Sequence, residues 1–364
     1  MVLVDLFFVT QPARLKVLTV LFNWIITYQN RYITIVFQFA NFEFAILVFE
    51  VSKRKYVRQY KWSNIYAMMR GGGGKLKECT DDFDGRFVVI TGATSGVGYV
   101  TAKEYASHGA NLLVINRNEE KSIALCEEIH QEFQVECDYK IADFSRLVEV
   151  RKVANELLES DLDIDVLIHN AGIYSTAKII TEDGNELVFQ VDYLGSFVLN
   201  YILKDKLKAE GKARIIFVNS EGHRFAVWGI GLHDPTYEKR RHSGLGSYGV
   251  AKTAQLLSMI KFAEYFEGSG VTINAMHPGN VKTNSGSQNG RIYRWYKRNL
   301  IDRGSKDPQI SATALYYLGV SKDIDGVSGK FFNLTKEEEP APPALDREVA
   351  EELWHKSIEL AGLE

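Results

Sequence analysis

The sequence predicts an α/β fold: a single domain on a doubly wound parallel sheet, residues 75–364, behind a hydrophobic N-terminal extension, residues 1–74. Three observations carry this. Short apolar runs recur along the chain, segments of helical period separate them, and the first run leads straight into a glycine-rich loop. Steady alternation implies parallel strands, because each parallel crossover needs a helix to bring the chain back.

Bulk properties fit such a domain. With 364 residues the chain can bury one large core or two modest ones. An apolar fraction of 46%, a charged fraction of 24% and a formal charge of -3 describe an ordinary globular protein with no nucleic-acid footprint. Cys79, Cys126 and Cys137 form an odd, scattered set without a CxxC pair, so neither a disulfide framework nor a metal site is expected. A reducing compartment suits that usage.

The extension comes first. Over residues 17–49 the only charges are Arg31 and Glu43, and Lys53, Arg54, Lys55, Arg58 and Lys61 follow, the pattern of a cytoplasmic flank beside a membrane anchor. Asn23, Asn30, Arg31, Gln38 and Glu43 interrupt the apolar stretches short of the roughly 18 residues a spanning helix needs. An anchor and a short amphipathic or irregular extension both fit, so the protein is expected to be membrane-associated or cytoplasmic, its core facing the cytoplasm. Four glycines at 71–74 read as a linker.

Buried strands are expected in FVVIT from Phe87, NLLVIN from Asn111, DVLIHN from Asp165, RIIFVN from Arg214 and VTINAMHP from Val271, with GKFFNL from Gly329 as a further one. Helical period places Ile123, Leu125, Cys126, Ile129 and Phe133 on one side of residues 121–133, and Val150, Val153, Ala154, Leu157 and Leu158 on one side of 148–158. The acidic, proline-bearing KEEEPAPPA reads as a loop, and residues 345–360 as a helix packing through Val349, Leu353 and Ile358.

The first core strand enters TGATSGVG, residues 91–98. Gly92, Gly96 and Gly98 let the backbone turn and approach a pyrophosphate, Thr94, Ser95 and Val97 fill the loop, and the opening helix directs its free N–H groups at the anion. Strand before and helix after are the context this reading requires. At the end of the second strand stand Asn116 and Arg117, where an NAD enzyme commonly places a carboxylate. A guanidinium there can pair with a 2′-phosphate, favouring NADP (NADPH) with NAD as the alternative; a solvated loop charge is the plain reading of Arg117.

The spacing GxxxGxG resembles the short-chain dehydrogenase/reductase family, a Rossmann fold, and further motifs resemble it in order. ADFS, with Asp143 and Phe144, is similar to the family's adenine-contacting position. HNAG, with Asn170, Ala171 and Gly172, resembles its NAG motif, and HPGNVKT its PG motif, in which Pro278, Gly279, Val281 and Thr283 would face the nicotinamide. Residues 284–306 match the family's mobile substrate lid.

SYGVAK carries Tyr248 and Lys252 four residues apart, on one face of a helix. A neighbouring ammonium favours phenolate and draws the working pKa towards neutrality, as an acid/base needs. The resemblance gives Lys252 the nicotinamide ribose as well, and Ser220 a hydrogen bond to the substrate oxygen. Where many members carry asparagine in VNxLG, this chain reads VDYLG, and Asp192 takes a place in the proton relay whose charge would alter the tyrosine's tuning. His169 and His223 lack ligand-spaced partners and read as packing or loop histidines.

The insert between Ser220 and Tyr248, EGSGVTINAMHPGNVKTN and the ending EELWHKSIELAGL look most like the retinol dehydrogenase-like branch. That implies a small hydrophobic alcohol or carbonyl substrate, with a homodimer left open. A non-catalytic NADP-binding protein with a sensing or interaction role is the alternative, and an epimerase or dehydratase of the extended branch ranks third.

Overall fold

The structure, a computed structural model, describes residues 23–29, 32–39, 42–50, 55–61, 64, 76–282, 286, 289–290 and 305–363, the first three of these segments as backbone alone. The chain divides into two units, residues 1–59 and 60–364. The glycine run at 71–74 lies outside the described residues.

In the first unit, β1 (Asn23–Gln29), β2 (Tyr32–Phe39) and β3 (Phe42–Glu50) form an antiparallel sheet in that order. Aromatic and β-branched residues dominate these stretches, and such residues favour the pleated strand. The spanning helix weighed for this segment is therefore not what these residues form. Among the described residues no helix is long and apolar enough to cross a membrane.

The second unit follows the predicted alternation. Its strands are β4 (Phe87–Thr91), β5 (Asn111–Asn116), β6 (Cys137–Ile141), β7 (Val166–His169), β8 (Arg214–Val218), β9 (Thr272–His277), β10 (Phe331–Asn333) and β11 (Lys336–Glu338). They pair in the order β11-β10-β9-β8-β7-β4-β5-β6, all parallel except the antiparallel β10–β11 hairpin at one edge. Lys336–Glu338 is thus an edge strand where a loop was expected.

Successive strand residues supply opposite cores, as a period of two requires. Val89, Leu113, Leu167, Ile215 and Ile273 join one cluster with α3 (Leu147–Glu159), α4 (Gly195–Glu210), α5 (Gly244–Tyr265) and α7 (Arg347–Ala361). Val88, Leu112, Ile168 and Ile216 join the other with α1 (Gly96–Ser107), α2 (Glu119–Phe133) and α6 (Gln309–Val320). Side chains cap three of these helices: Asn118 accepts from Lys121 N, Ser243 from Gly246 N and Asp346 from Val349 N. Ile123 and Leu158, expected on packed faces, are 39% and 40% exposed, each lying one residue off the buried stripe of its helix.

Strand order reverses between β4 and β7, which places a crevice outside their carboxyl ends. Asn170 closes the floor of that crevice. Its amide donates to Thr91 O at 3.1 Å and Gly92 O at 2.8 Å, while the N–H groups of Asn170 and Ala171 both donate to Thr91 Oγ1 at 3.0 Å.

Candidate active site

The glycine loop starts where β4 ends. Gly92 and Gly96 adopt φ of +70° and +59°, the left-handed region that glycine enters without penalty. A Cβ on Gly92 would lie 2.8 Å from Ala171 Cα, and one on Gly98 would overlap Gly92 O and Asn170 Nδ2. Val97 is buried, Thr94 half-buried and Ser95 exposed, and the Ser95 side chain makes no capping hydrogen bond at the start of α1. A 12-residue helix opening so is an anion seat, and this cradle fits a dinucleotide pyrophosphate.

Around it the predicted residues divide by what their side chains do. Asn116 is buried, with Oδ1 accepting from Ala93 N at 2.7 Å and Nδ2 donating to Ser122 Oγ at 3.1 Å, so both ends of its amide brace the loop. Arg117 is exposed next to it. Asp143 receives Ser145 N at 2.8 Å in a turn of its own, and Phe144 packs against Gly195. Gly172 sits where a Cβ would meet the Asp192 carboxylate at 3.3 Å. Gly279 takes φ of +80°, Pro278 O accepts from Ser311 Oγ at 2.6 Å, and Val281 bridges to Lys306. Thr283 lies outside the described residues, as does most of 284–306; Asn289 within that stretch donates to Tyr174 O at 2.9 Å and accepts from Thr176 N at 2.8 Å.

Ser220, Tyr248, Lys252 and Asp192 come together from three elements. Ser220 follows β8, Tyr248 and Lys252 lie on α5, and Asp192 belongs to a wide π turn, Gln190–Leu194, leading into α4. Lys252 is 4% exposed; its Nζ donates to Val218 O at 3.1 Å and stands 3.4 Å from Asp192 Oδ2, and 5.6 Å from the centre of the Tyr248 ring. Asp192 Oδ1 accepts from Ile173 N at 2.7 Å. The Ser220 side chain is near enough to Tyr248 to ease ionisation of its hydroxyl, and the edge of the Tyr174 ring meets Tyr248 at 5.7 Å between centroids.

Electrostatics here depart from the expectation drawn from the lysine alone. Burial is the largest influence on Tyr248 and pushes its hydroxyl above the usual value; Lys252 and Ser220 oppose that, and Asp192 adds to it. Burial likewise lifts Asp192 to about 6 against the pull of Lys252. In this setting the ammonium offsets desolvation without overcoming it.

Two predicted bystanders hold the frame, as read. His169 Nε2 meets Asn200 Oδ1 at 2.7 Å, and burial lowers its pKa to about 4. His223 Nε2 accepts from Ala341 N at 3.1 Å, so Nδ1 is the nitrogen that donates to Ser220 O at 2.7 Å; burial and the Arg224 charge hold it near 3. Sequence reasoning missed Asn219, which donates to Lys252 O and Gln255 Oε1, both at 2.9 Å, and Gln255, which donates to Asp192 O at 3.2 Å. Glu186 was missed too: it accepts from Ser247 Oγ at 2.6 Å and Phe189 N at 2.9 Å. Its only signal was a charge ahead of an apolar helix.

The sequence pattern of short chain dehydrogenases matches residues 86–231. Human retinol dehydrogenase 13 is 35% identical over 285 residues, covering 77% of this chain and 86% of that protein. The chain belongs to the short-chain dehydrogenase/reductase family, in its retinol dehydrogenase-like branch. Members of that family bind a nicotinamide dinucleotide, and this chain is an oxidoreductase acting on CH–OH groups. A solved Mycobacterium paratuberculosis protein, 26% identical, superposes with a TM-score of 0.62 over 80% of this chain and 97% of its own. A Shigella flexneri short chain dehydrogenase solved in complex with NADP shares the fold at 20% identity, with a TM-score of 0.55 over 70% of this chain and 99% of that one.

Proposed function

We propose that the protein transfers hydride between NADP(H) and a hydrophobic alcohol or carbonyl compound, with Tyr248 as the acid/base. The observation that carries this reading is the convergence of Ser220, Tyr248 and Lys252 beside the glycine cradle at the sheet's carboxyl edge. When bound, the nicotinamide supplies or accepts the hydride. In reduction, Tyr248 gives its proton to the carbonyl oxygen while Ser220 donates a hydrogen bond to the same atom. In oxidation the phenolate takes that proton back, and the Lys252 ammonium favours the phenolate. Asp192, ionised above pH about 6, holds Lys252 and acts against the phenolate. Arg117, exposed at the end of β5 with no acid beside it on that strand, is the group for a 2′-phosphate. The NADP complex of the Shigella flexneri protein supports only the class of cofactor.

Purified full-length protein with NADPH or NADH and a panel of aldehydes, ketones and alcohols, retinal and retinol among them, tests the reading. Turnover with a lower KM for NADPH than for NADH is expected. Binding of NADPH without turnover on any member of the panel would favour a sensing protein, consistent with the raised Tyr248 hydroxyl.

A further inference from the structure

Among the described residues, Arg224 is the largest side chain fully withdrawn from solvent, at 2% exposed, and it sits in the Glu221–Phe225 turn just after Ser220. A buried guanidinium has to be met by acceptors, because an uncompensated buried charge costs several kcal/mol. They come from three parts of the chain. Nε donates to Glu221 Oε2 at 2.5 Å, Nη1 to Asn64 Oδ1 at 2.6 Å and Nη2 to Glu339 O at 3.2 Å. The Tyr60 hydroxyl donates to Arg224 O at 3.0 Å. Tyr60 and Asn64 precede the glycine run and lie outside the matched family region, yet Asn64 is buried.

Other contacts clamp the same turn from within the domain. His223 binds Ser220 O, Thr253 Oγ1 donates to His223 O at 3.0 Å, and Glu221 N donates to His277 Nδ1 at 3.4 Å. Ser220 Oγ accepts from Gly222 N at 3.0 Å, and a Cβ on Gly222 would lie 2.6 Å from Tyr248 Cε1. The turn therefore fixes the direction of the serine hydroxyl and abuts the phenol. A small rotation of it moves one reactive oxygen relative to the other.

We propose that Arg224 is a positioning residue for Ser220, and that Tyr60 and Asn64, from the chain ahead of the glycine run, complete its setting. The proposal rests on the oxidoreductase reading for its effect on turnover, though not for its effect on the turn. A stretch that carries none of the family's motifs thereby takes part in arranging the reacting groups.

The test uses full-length Asn64→Leu, of similar size without an acceptor, and Asn64→Asp, which keeps one. Amide hydrogen exchange over residues 220–226 is measured beside kcat and cofactor KM. A hydrogen bond to a charged group contributes about 1.5–3 kcal/mol, roughly tenfold or more. Asn64→Leu is expected to speed exchange and lower kcat by about that factor, with cofactor KM changed less than about twofold, and Asn64→Asp to restore both. Tyr60→Phe, a milder change, moves both quantities the same way and serves if Asn64→Leu does not fold. Parental exchange in Asn64→Leu or, failing that, in Tyr60→Phe overturns the proposal whatever the enzyme does. Faster exchange with parental kcat overturns the positioning role. A parent that shows no turnover, with exchange responding as expected, defeats the oxidoreductase reading and with it the catalytic part of the proposal, while the Asn64 contact stands.

Discussion

The Asp192 carboxylate faces the Lys252 ammonium across 3.4 Å with both side chains buried. That is longer than the roughly 2.7–2.9 Å of a tight charge-assisted bond. Desolvation lifts Asp192 to about 6, and the ionised form in turn raises Tyr248. Asp192→Asn removes that negative charge, so Tyr248 ionises at lower pH and the rising limb of the alcohol-oxidation profile moves down. The pH dependence of kcat/KM checks this; a profile superimposable on the parent's would mean the carboxylate is not coupled to the phenol.

Tyr248→Phe keeps the ring against Tyr174 and Gly222 and removes only the proton carrier. General acid–base catalysis contributes about 10²–10⁴-fold, and kcat is expected to fall within that range. NADPH affinity, measured by fluorescence titration, stays near the parental value. A loss of less than about tenfold in kcat would assign the proton to another group.

Arg117 is exposed at the end of β5, with nothing acidic beside it on that strand to recognise a free ribose. Arg117→Glu places a repelling charge where a 2′-phosphate would lie and a hydrogen-bond acceptor where a 2′-hydroxyl would. The KM for NADPH should rise by about ten- to a hundredfold, the worth of a charge-assisted hydrogen bond, while that for NADH falls or holds. Equal rises for both cofactors would show a general disturbance of the loop.

Stability should fall in mild acid. Burial lowers His169 to about 4, His223 to about 3 and His277 to about 4, against about 6.5 in an unfolded chain. The unfolded state then binds more protons between those values. Their contribution is complete above pH about 6.5 and is lost as pH falls towards about 4. Asp192 runs the other way: its raised pKa returns some stability as pH drops through about 6. Three histidines outweigh one carboxylate, and urea denaturation should show a decrease of about 4–5 kcal/mol between pH 7.5 and pH 5. A flat result would mean that the imidazoles gain solvent or partners in the folded state.

Buried strands announced themselves because residues such as Val88, Val89 and Ile90 are enclosed on both faces, leaving an unbroken apolar run. β6, reading CDYKI, has no fully buried residue and so offered no such run, and Lys336–Glu338 reads as charged coil until β10 pairs with it. Ile123 and Leu158 show the limit of period alone, since an apolar side chain one step off the stripe is still counted into it. At the site, local motifs gave the glycine loop, Ser220, Tyr248 and Lys252. What they could not give was Asn64 against Arg224, 160 positions apart, or the balance by which burial outweighs the ammonium at Tyr248. Both depend on what the rest of the chain brings alongside.

The π turn at Gln190–Leu194, closed by Gly195 N reaching back to Gln190 O, holds one residue more than a regular helical turn would. Its length therefore acts as a spacer. Deleting Val191 or Tyr193 would let the coil resume ordinary pitch and shift its backbone locally, changing where the acid stands relative to the amine although every letter of both flanks is kept. The count of residues in this short stretch decides which side chain the lysine meets, before the identity of that side chain matters at all.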